Sequence, residues 1–286
     1  MKFNFIHRHR KEFSITRLCY VLSVSKSGYY AWIARPESPR TKEDKALLER
    51  ITTHHKNSRK TYGYRRIHED LHDEGVSIGE TRVRRLMKEN GIKPKVKRKF
   101  KVTTDSNHTN QIHENKLDRN FSPESLNQSW VSDITYIPTK EGWLYLAVIM
   151  DLFSRKIIGW AMDCRIQESL TIRALKMALF RRKIKSPLLL HSDRGGQYAA
   201  KNYQSILSNN GITCSMSRKG NCWDNAPMES FFHTLKVELV HHESFKTREE
   251  AKQAIFDYIE VFYNRQRRHS AINYKSPEQF ELMQAA

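Results

Sequence analysis

Asp133 lies inside SWVSDITYIP (129–138), a run rich in strand formers, with Val131 and Ile134 as close neighbours. An ionised carboxylate in such a strand is costly unless it is paired or binds a metal. Asp193 directly follows PLLLHS, at the carboxyl end of a second predicted strand, and precedes Arg194-Gly195-Gly196. Glycines there let backbone approach a ligand closely, and ligands of α/β sheets gather at such strand ends. Glu229 falls in the first turns of a helix that opens with Asn225 and Pro227. Taken singly, each acid reads as a cap or a turn residue. Taken together they form a spaced set, with thirty-five residues between Asp193 and Glu229.

Neighbouring groups have local explanations. Asp151 starts the turn DLFSRK, Asp163 ends a strand, and Asp224 precedes the helix as a candidate cap. Glu238 is nine positions after Glu229, about 180° around at about 100° per residue, and is expected to be exposed on the opposite face. Lys236, seven positions on, shares the face of Glu229. The serines near the motifs and Tyr198 read as packing and capping groups, not nucleophiles. Cys19, Cys164, Cys214 and Cys222 form no C-x-x-C pair. The pairs His54-His55 and His241-His242 lack cysteines at zinc-finger spacing, so neither a zinc knuckle nor a ribbon is expected.

The elements that must position these acids read as alternating strands and helices. Residues 129–138, 143–150 and 156–162 are predicted strands with short connections, an antiparallel meander. A helix follows over about 168–183, then a short buried strand at 187–191. Helix 199–209, strand 211–216 and helices 225–241 and 247–264 complete the order. This is an α/β layered plan, and it is the element order of the ribonuclease-H-like fold. The apolar stripe Met228, Phe232, Leu235 and Leu239 should pack the helix of Glu229 on the sheet.

The N-terminal part reads differently. Of the 286 residues, 50 are Lys or Arg and 31 Asp or Glu, for a net charge of +19. Residues 1–120 hold 28 basic and 14 acidic residues, so the excess is concentrated there. Such a balance points to a polyanion. Two helix-turn-helix patterns occupy this region. In the first, Ser14 caps a helix bearing Leu18, Val21 and Leu22, and a second helix carries Tyr29, Tyr30, Trp32 and Ile33. In the second, Ile67 and Leu71 mark one helix, Gly75 ends it, and Ser77 opens another with Val83, Leu86 and Met87 as its stripe. Arg82 and Arg85 lie off that stripe, where a recognition helix would read bases. KPKVKRKFK (93–101), including Lys95, Lys97, Arg98 and Lys99, has six basic residues and no acid. It is expected to be a flexible linker that tracks phosphates, and the polar stretch 103–120 is not expected to pack. The expected division is therefore 1–100 for an all-α helix-turn-helix DNA-binding region, 101–122 for a linker, and 123–286 for the ribonuclease-H-like α/β part with a C-terminal helical extension. The longest apolar run, Leu144 to Met150, is too short to cross a bilayer, and the N-terminus carries charges where a signal peptide is apolar. A cytoplasmic, nucleoid-associated protein is the expectation.

WVSDITYI, HSDRGGQY and GNCWDNAPMESFFHTLKVEL resemble the catalytic core of integrases and insertion-sequence transposases, whose Asp, Asp, thirty-five residues, Glu arrangement matches Asp133, Asp193 and Glu229. YGYRRIHEDL and YNRQRRHSAINYKSPEQFE resemble more closely the second-reading-frame product of the "IS three" family of bacterial insertion sequences. The resemblance covers residues 5–281. It implies metal-dependent cleavage and joining of double-stranded DNA at element ends and target. The three acids would hold two Mg²⁺ ions, with Mn²⁺ as substitute, since repelling carboxylates favour a hard cation. Water would free a 3′-OH, and that hydroxyl would attack the other end of the same strand, giving a branched and then a circular intermediate. A basic residue at the position of Lys236 would contact DNA. The resemblance also implies a homo-oligomer on DNA and an upstream-frame product as fusion or partner. Two rivals stay open: a ribonuclease-H-like nuclease that does not join, and a non-enzymatic DNA-binding regulator of the element.

Overall fold

The computed structural model describes residues 1–95, 112–184, 187–219 and 221–285. The chain divides into two compact units, Met1–Ile51 and Thr52–Ala286. In the first, helices α1 (Lys2–His9), α2 (Ile15–Val21) and α3 (Lys26–Ala34) close over Ile6, Leu18, Cys19 and Tyr29. The caps follow the serines: Ser14 Oγ accepts from Arg17 N at 3.4 Å, and Ser25 Oγ from Gly28 N at 3.0 Å. Helix α4 (Pro39–Asn57) crosses the boundary in sequence.

The second unit begins with the second helix-turn-helix pattern, α5 (Tyr64–Asp73) and α6 (Glu80–Glu89). Ile67 and Leu71 of α5 and Val83, Leu86 and Met87 of α6 are buried, as their spacing predicts. The start of α6 differs from expectation. Gly79, not Ser77, is its N-cap, and no side chain caps it.

Five strands, β1 (Ser129–Thr139), β2 (Gly142–Asp151), β3 (Ile157–Asp163), β4 (Leu188–Ser192) and β5 (Ile212–Met216), form one sheet in the order β3-β2-β1-β4-β5. The first three are the antiparallel meander; β4 pairs parallel with β1, and β5 with β4. From Leu146 to Leu152 nothing is more than 1% exposed, which is why β2 reads as a continuous apolar run and not as an alternation. The β1–β2 turn needs Gly142, at φ +107°. Helix α7 (Glu168–Arg181) lies directly on β3 at Gly159, where a Cβ would come within 2.3 Å of the Ala174 carbonyl. Helix α8 (Lys201–Asn209) adds Tyr203 and Leu207 to the same core.

Helix α9 (Ala226–Glu238) buries Met228, Phe232 and Leu235 and contacts β1. The helix expected over 247–264 is α10 (Arg248–Phe256), and it widens into π-helical turns over Asp257–Tyr263. Helix α11 (Pro277–Ala285) follows.

One expectation about organisation needs revision. Residues 114–119 pack against the core: Ser215 Oγ accepts from Lys116 N at 2.9 Å and Leu117 N at 3.2 Å, and Leu117 is 3% exposed. Polar composition hid this, because the contacts are made by residues about a hundred positions away. The two helix-turn-helix patterns fall in different compact units. Arg268 ties α5 to the C-terminal segment, with Nε donating to Asp70 at 2.5 Å and Nη2 to Asp73 at 2.7 Å. Net charge describes a surface and says nothing of such contacts.

Candidate active site and nucleic-acid interface

The β1–β4 ladder pairs Ser129 with Leu189, Trp130 with Leu190 and Val131 with His191, a constant offset of sixty. Asp133 and Asp193 each lie two residues beyond the last pair of that ladder. Asp133 Oδ1 accepts from Ile134 N at 2.8 Å, and Asp193 Oδ1 accepts from Gly195 N at 2.9 Å. Asp193 thus folds back over the turn that its glycines permit. Below the pair, Tyr198 is 1% exposed, and its hydroxyl lies 3.0 Å from Ser132 Oγ. Burial first, and then the charges of Asp133 and Asp193, push this phenol well up, so it stays neutral.

Glu229 sits in the first turn of α9, where the helix dipole favours a carboxylate. Asn225 anchors the start of that helix, with Nδ2 donating to the Ser132 carbonyl at 3.2 Å. The acids affect one another. Burial pushes the Asp133 carboxyl well above the usual range; Asp193 and Glu229 raise it further, while the Ile134 amide and Lys236 oppose them. Glu229 is raised by partial burial. Lys236 is lowered by burial, against the pull of Tyr136 and Asp133. Its Nζ lies 4.8 Å from the centre of the Tyr136 ring, a cation–π contact.

Among the described residues, no three His, Cys, Asp or Glu side chains converge tightly enough to hold a metal ion jointly. The donor chemistry nevertheless fits a hard divalent cation. The acids offer only oxygen ligands, and a half-buried Asp133 raised by two neighbouring negative charges is relieved by a positive one.

The other acids are structural. Asp151, fully buried, accepts from Asn127 N and Phe153 N and holds its turn. Asp224 is not a helix cap. It is fully buried and accepts from Asn115, Arg119 and Arg218, which together hold it well below the usual carboxylate range, the Arg218 hydrogen bonds most of all. Glu238 does point away from Glu229, but its side chain is only 8% exposed and pairs with Arg267. The reading of Glu238 as a free surface acid is therefore corrected; the far side of α9 is covered by the C-terminal segment. His191, lowered to about 4 by burial, is a neutral link between Ser215 and Ser217.

Arg82 and Arg85 are half-buried on α6, and Arg85 pairs with Glu89 at 2.8 Å. The backbone of Lys95 is fixed: its amide N–H donates to the Lys60 carbonyl at 2.8 Å, and His55 Nε2 lies 3.0 Å from the Lys93 carbonyl. Lys97, Arg98 and Lys99 lie outside the described residues. Sequence reasoning missed the surroundings of Lys95. Lys56, Arg59, Lys60 and Lys95 line a cavity of ≈ 300 Å³ with Glu238, Leu239 and Glu243. The basic run at 56–60 was the available signal.

A family model described as an integrase core domain matches residues 123–222, and a second of that description matches 229–284. An HTH-like domain model matches 42–100. The chain is 47% identical over 263 residues to the insertion element IS600 uncharacterized 31 kDa protein of Shigella sonnei, covering 92% of this chain and 97% of that one. It is 43% identical over 287 residues to the transposase InsF for insertion sequence IS3A of Escherichia coli (strain K12), covering 98% of each. The HTLV-2 integrase catalytic core domain in complex with magnesium is similar at 18% identity with a TM-score of 0.41, over 54% of this chain and 95% of that one.

Proposed function

Because the chain belongs to the insertion-sequence transposases with an integrase core, and is on that ground a polynucleotidyl transferase, we propose that Asp133, Asp193 and Glu229 are the metal-holding acids with which it cuts and joins DNA. The family generally uses a divalent metal; here the reading is two Mg²⁺ ions, with Mn²⁺ as substitute. Bound there, the cations supply Lewis acidity for the attacking oxygen and charge neutralisation for the leaving oxygen of an in-line displacement. The observation that carries this reading is the half-buried Asp133 carboxyl just past the β1–β4 ladder, within charge reach of Asp193 and Glu229.

The chain's own residues prepare the site. Tyr198 and Ser132 brace β1 beneath Asp133. Asn225 ties to β1 the start of α9, whose first turn carries Glu229. Lys236, held against Tyr136, places a positive charge beside Asp133 for the phosphate that approaches it. Arg82 and Arg85 are proposed to read bases, and Lys95, Lys97, Arg98 and Lys99 to track phosphates. The proposed division of labour is 1–100 for DNA binding, 101–122 for connection and 123–286 for chemistry. The substrates are the element's ends and its target, and the working form is a homo-oligomer on DNA in the bacterial cytoplasm, joined or partnered by an upstream-frame product.

The test is strand transfer with a 3′-OH donor end and a target duplex in Mg²⁺ or Mn²⁺. Joined product from the wild type, absent with Asp133→Asn, supports the reading. Hydrolysis without joining points to the nuclease, and binding without cleavage to the regulator.

A further inference from the structure

Trp223 is the most exposed of the five tryptophans, at 68%. A flat apolar ring of this size is usually covered. It does not hang on a loose loop. It sits in the single 3₁₀ turn Cys222–Asn225, directly before two anchored residues. Asp224 takes five hydrogen bonds: from Asn115 Nδ2 at 3.0 Å, Arg119 Nε at 2.9 Å, and Arg218 N, Nε and Nη2 at 2.9, 2.9 and 2.8 Å. Asn225 Nδ2 bonds the carbonyl of Ser132, the residue before Asp133. On the incoming side, Ser217 N donates to the carbonyl of Ser192, the residue before Asp193, at 2.9 Å. The turn that carries Trp223 is therefore pinned beside Asp133 at its outgoing end, Ser217 before it is pinned beside Asp193, and the indole is left in solvent.

We infer that Trp223 stacks on an unpaired nucleobase flanking the scissile phosphate and holds that strand out of the duplex at the carboxylates. The inference rests on Asp133, Asp193 and Glu229 as the cutting site. The occupant follows from the place: the substrate brought to these acids is DNA, and its one flat apolar surface is the face of a base. Base–aromatic stacking offsets the cost of unstacking and unpairing a base. Lys219, exposed four residues before, adds positive charge near the same strand.

The test has two arms on the full chain. In the first, duplexes bearing the element's end carry 5-iododeoxyuridine at single positions around the cut. They are irradiated without metal, so that the DNA stays whole, and crosslinked peptides are identified by mass spectrometry. A crosslink to Trp223 from one or two positions flanking the cut is expected, and it is lost in Trp223→Ala. In the second, joining is timed in Mg²⁺. Trp223→Ala is expected to join a fully paired end about tenfold more slowly, the equivalent of about 1.4 kcal/mol, and Trp223→Tyr to keep most of the rate. A mismatch at the crosslinked position should restore the Ala variant to within about twofold, a rescue that a merely structural role would not give. Crosslinks only to other residues, an Ala variant as fast as wild type, or a slow one that the mismatch leaves slow each overturns the inference. The crosslinking arm needs no metal, so a failure of the three acids to cut is read separately, with Asp133→Asn.

Discussion

Arg267 lays its guanidinium along the carboxylate of Glu238, with Nε 2.9 Å from Oε2 and Nη2 2.8 Å from Oε1. Both side chains are under a tenth exposed. Tyr258 donates its hydroxyl to the same carboxylate at 2.7 Å, and Arg66 approaches it at 3.7 Å. One acid on the far side of α9 thus gathers α5, the π-helical turns after α10, and the C-terminal segment. Glu238→Ala strands the Arg267 charge in the interior, and breaking a buried pair on one side costs about 3–5 kcal/mol. For a unit of this size the expected fall in melting temperature is about 10 °C. A variant melting within a degree of wild type would show that the pair contributes nothing.

That pair marks where the sequence stopped being legible. The meander, the buried strand before Asp193 and the stripes of α5, α6 and α9 all rest on local periodicity, which survives in a single chain read alone. The burial of Glu238 does not, because Arg267 is twenty-nine positions away and no spacing rule connects them. The same holds for Asp70 and Arg268, one in each of the two motifs quoted for the resemblance, and for residues 114–119 against Ser215. At the site, the choice of Asp133 and Asp193 rested on their strand positions, a topological signal. The cluster of Lys56, Arg59 and Lys60 around Lys95 is a product of packing, with no period to betray it.

Metal should report on the three acids without any DNA. A divalent cation that binds only the folded state raises its stability by RT ln(1 + [L]/Kd), about 2.7 kcal/mol at a hundredfold excess over Kd. Mg²⁺ or Mn²⁺ is therefore expected to raise the melting temperature of the wild type by several degrees. The gain should vanish in Asp133→Asn, Asp193→Asn and Glu229→Gln, all of which should still bind DNA in a mobility-shift assay. A full metal gain in Asp193→Asn would remove that residue from the set.

Asp224 sets a pH dependence. Its carboxyl is held far below the ordinary value, chiefly by the Arg218 hydrogen bonds. A carboxylate depressed in the folded state stabilises above its unfolded value, near 4, and the stabilisation is lost as pH falls towards the folded value. Asp224→Asn should therefore be less stable than wild type by about 2 kcal/mol at pH 7. The gap should narrow steadily below pH 4. A gap that stays constant from pH 7 to pH 3 assigns the loss to shape and not to charge.

The cations around Lys95 should act on DNA affinity irrespective of sequence. Among the described residues, Lys56, Lys60 and Lys95 make no ion pair, whereas Arg59 is engaged by Asp257. Replacing Lys56, Lys60 and Lys95 with Gln should weaken binding to every duplex. Each lost phosphate contact should reduce the log–log salt slope by about 0.9. Arg85→Gln should instead change which sequences are preferred. An unaltered slope in the triple variant would exclude this pocket from the DNA path.

Helix α9 allows chemistry and folding to be separated along a single element. Leu235 is fully buried against the sheet, so Leu235→Ala should cost about 2–5 kcal/mol and lower activity only through stability. Lys236, the next residue, is half-buried, lies over the Tyr136 ring and is within electrostatic reach of Asp133. Lys236→Ala should leave the melting temperature within a few degrees, because a cation–π contact at a partly exposed site is worth only about 0.5–1 kcal/mol. Its joining rate should fall at least tenfold, since the positive charge facing the approaching phosphate is gone. Lys236→Arg keeps the charge and should recover most of that rate. The readout is single-turnover joining set beside thermal unfolding for all three variants. If Lys236→Ala joins at the wild-type rate while Leu235→Ala behaves as stated, Lys236 serves only to cover Tyr136, and the DNA contact beside Asp133 has to be sought on another element.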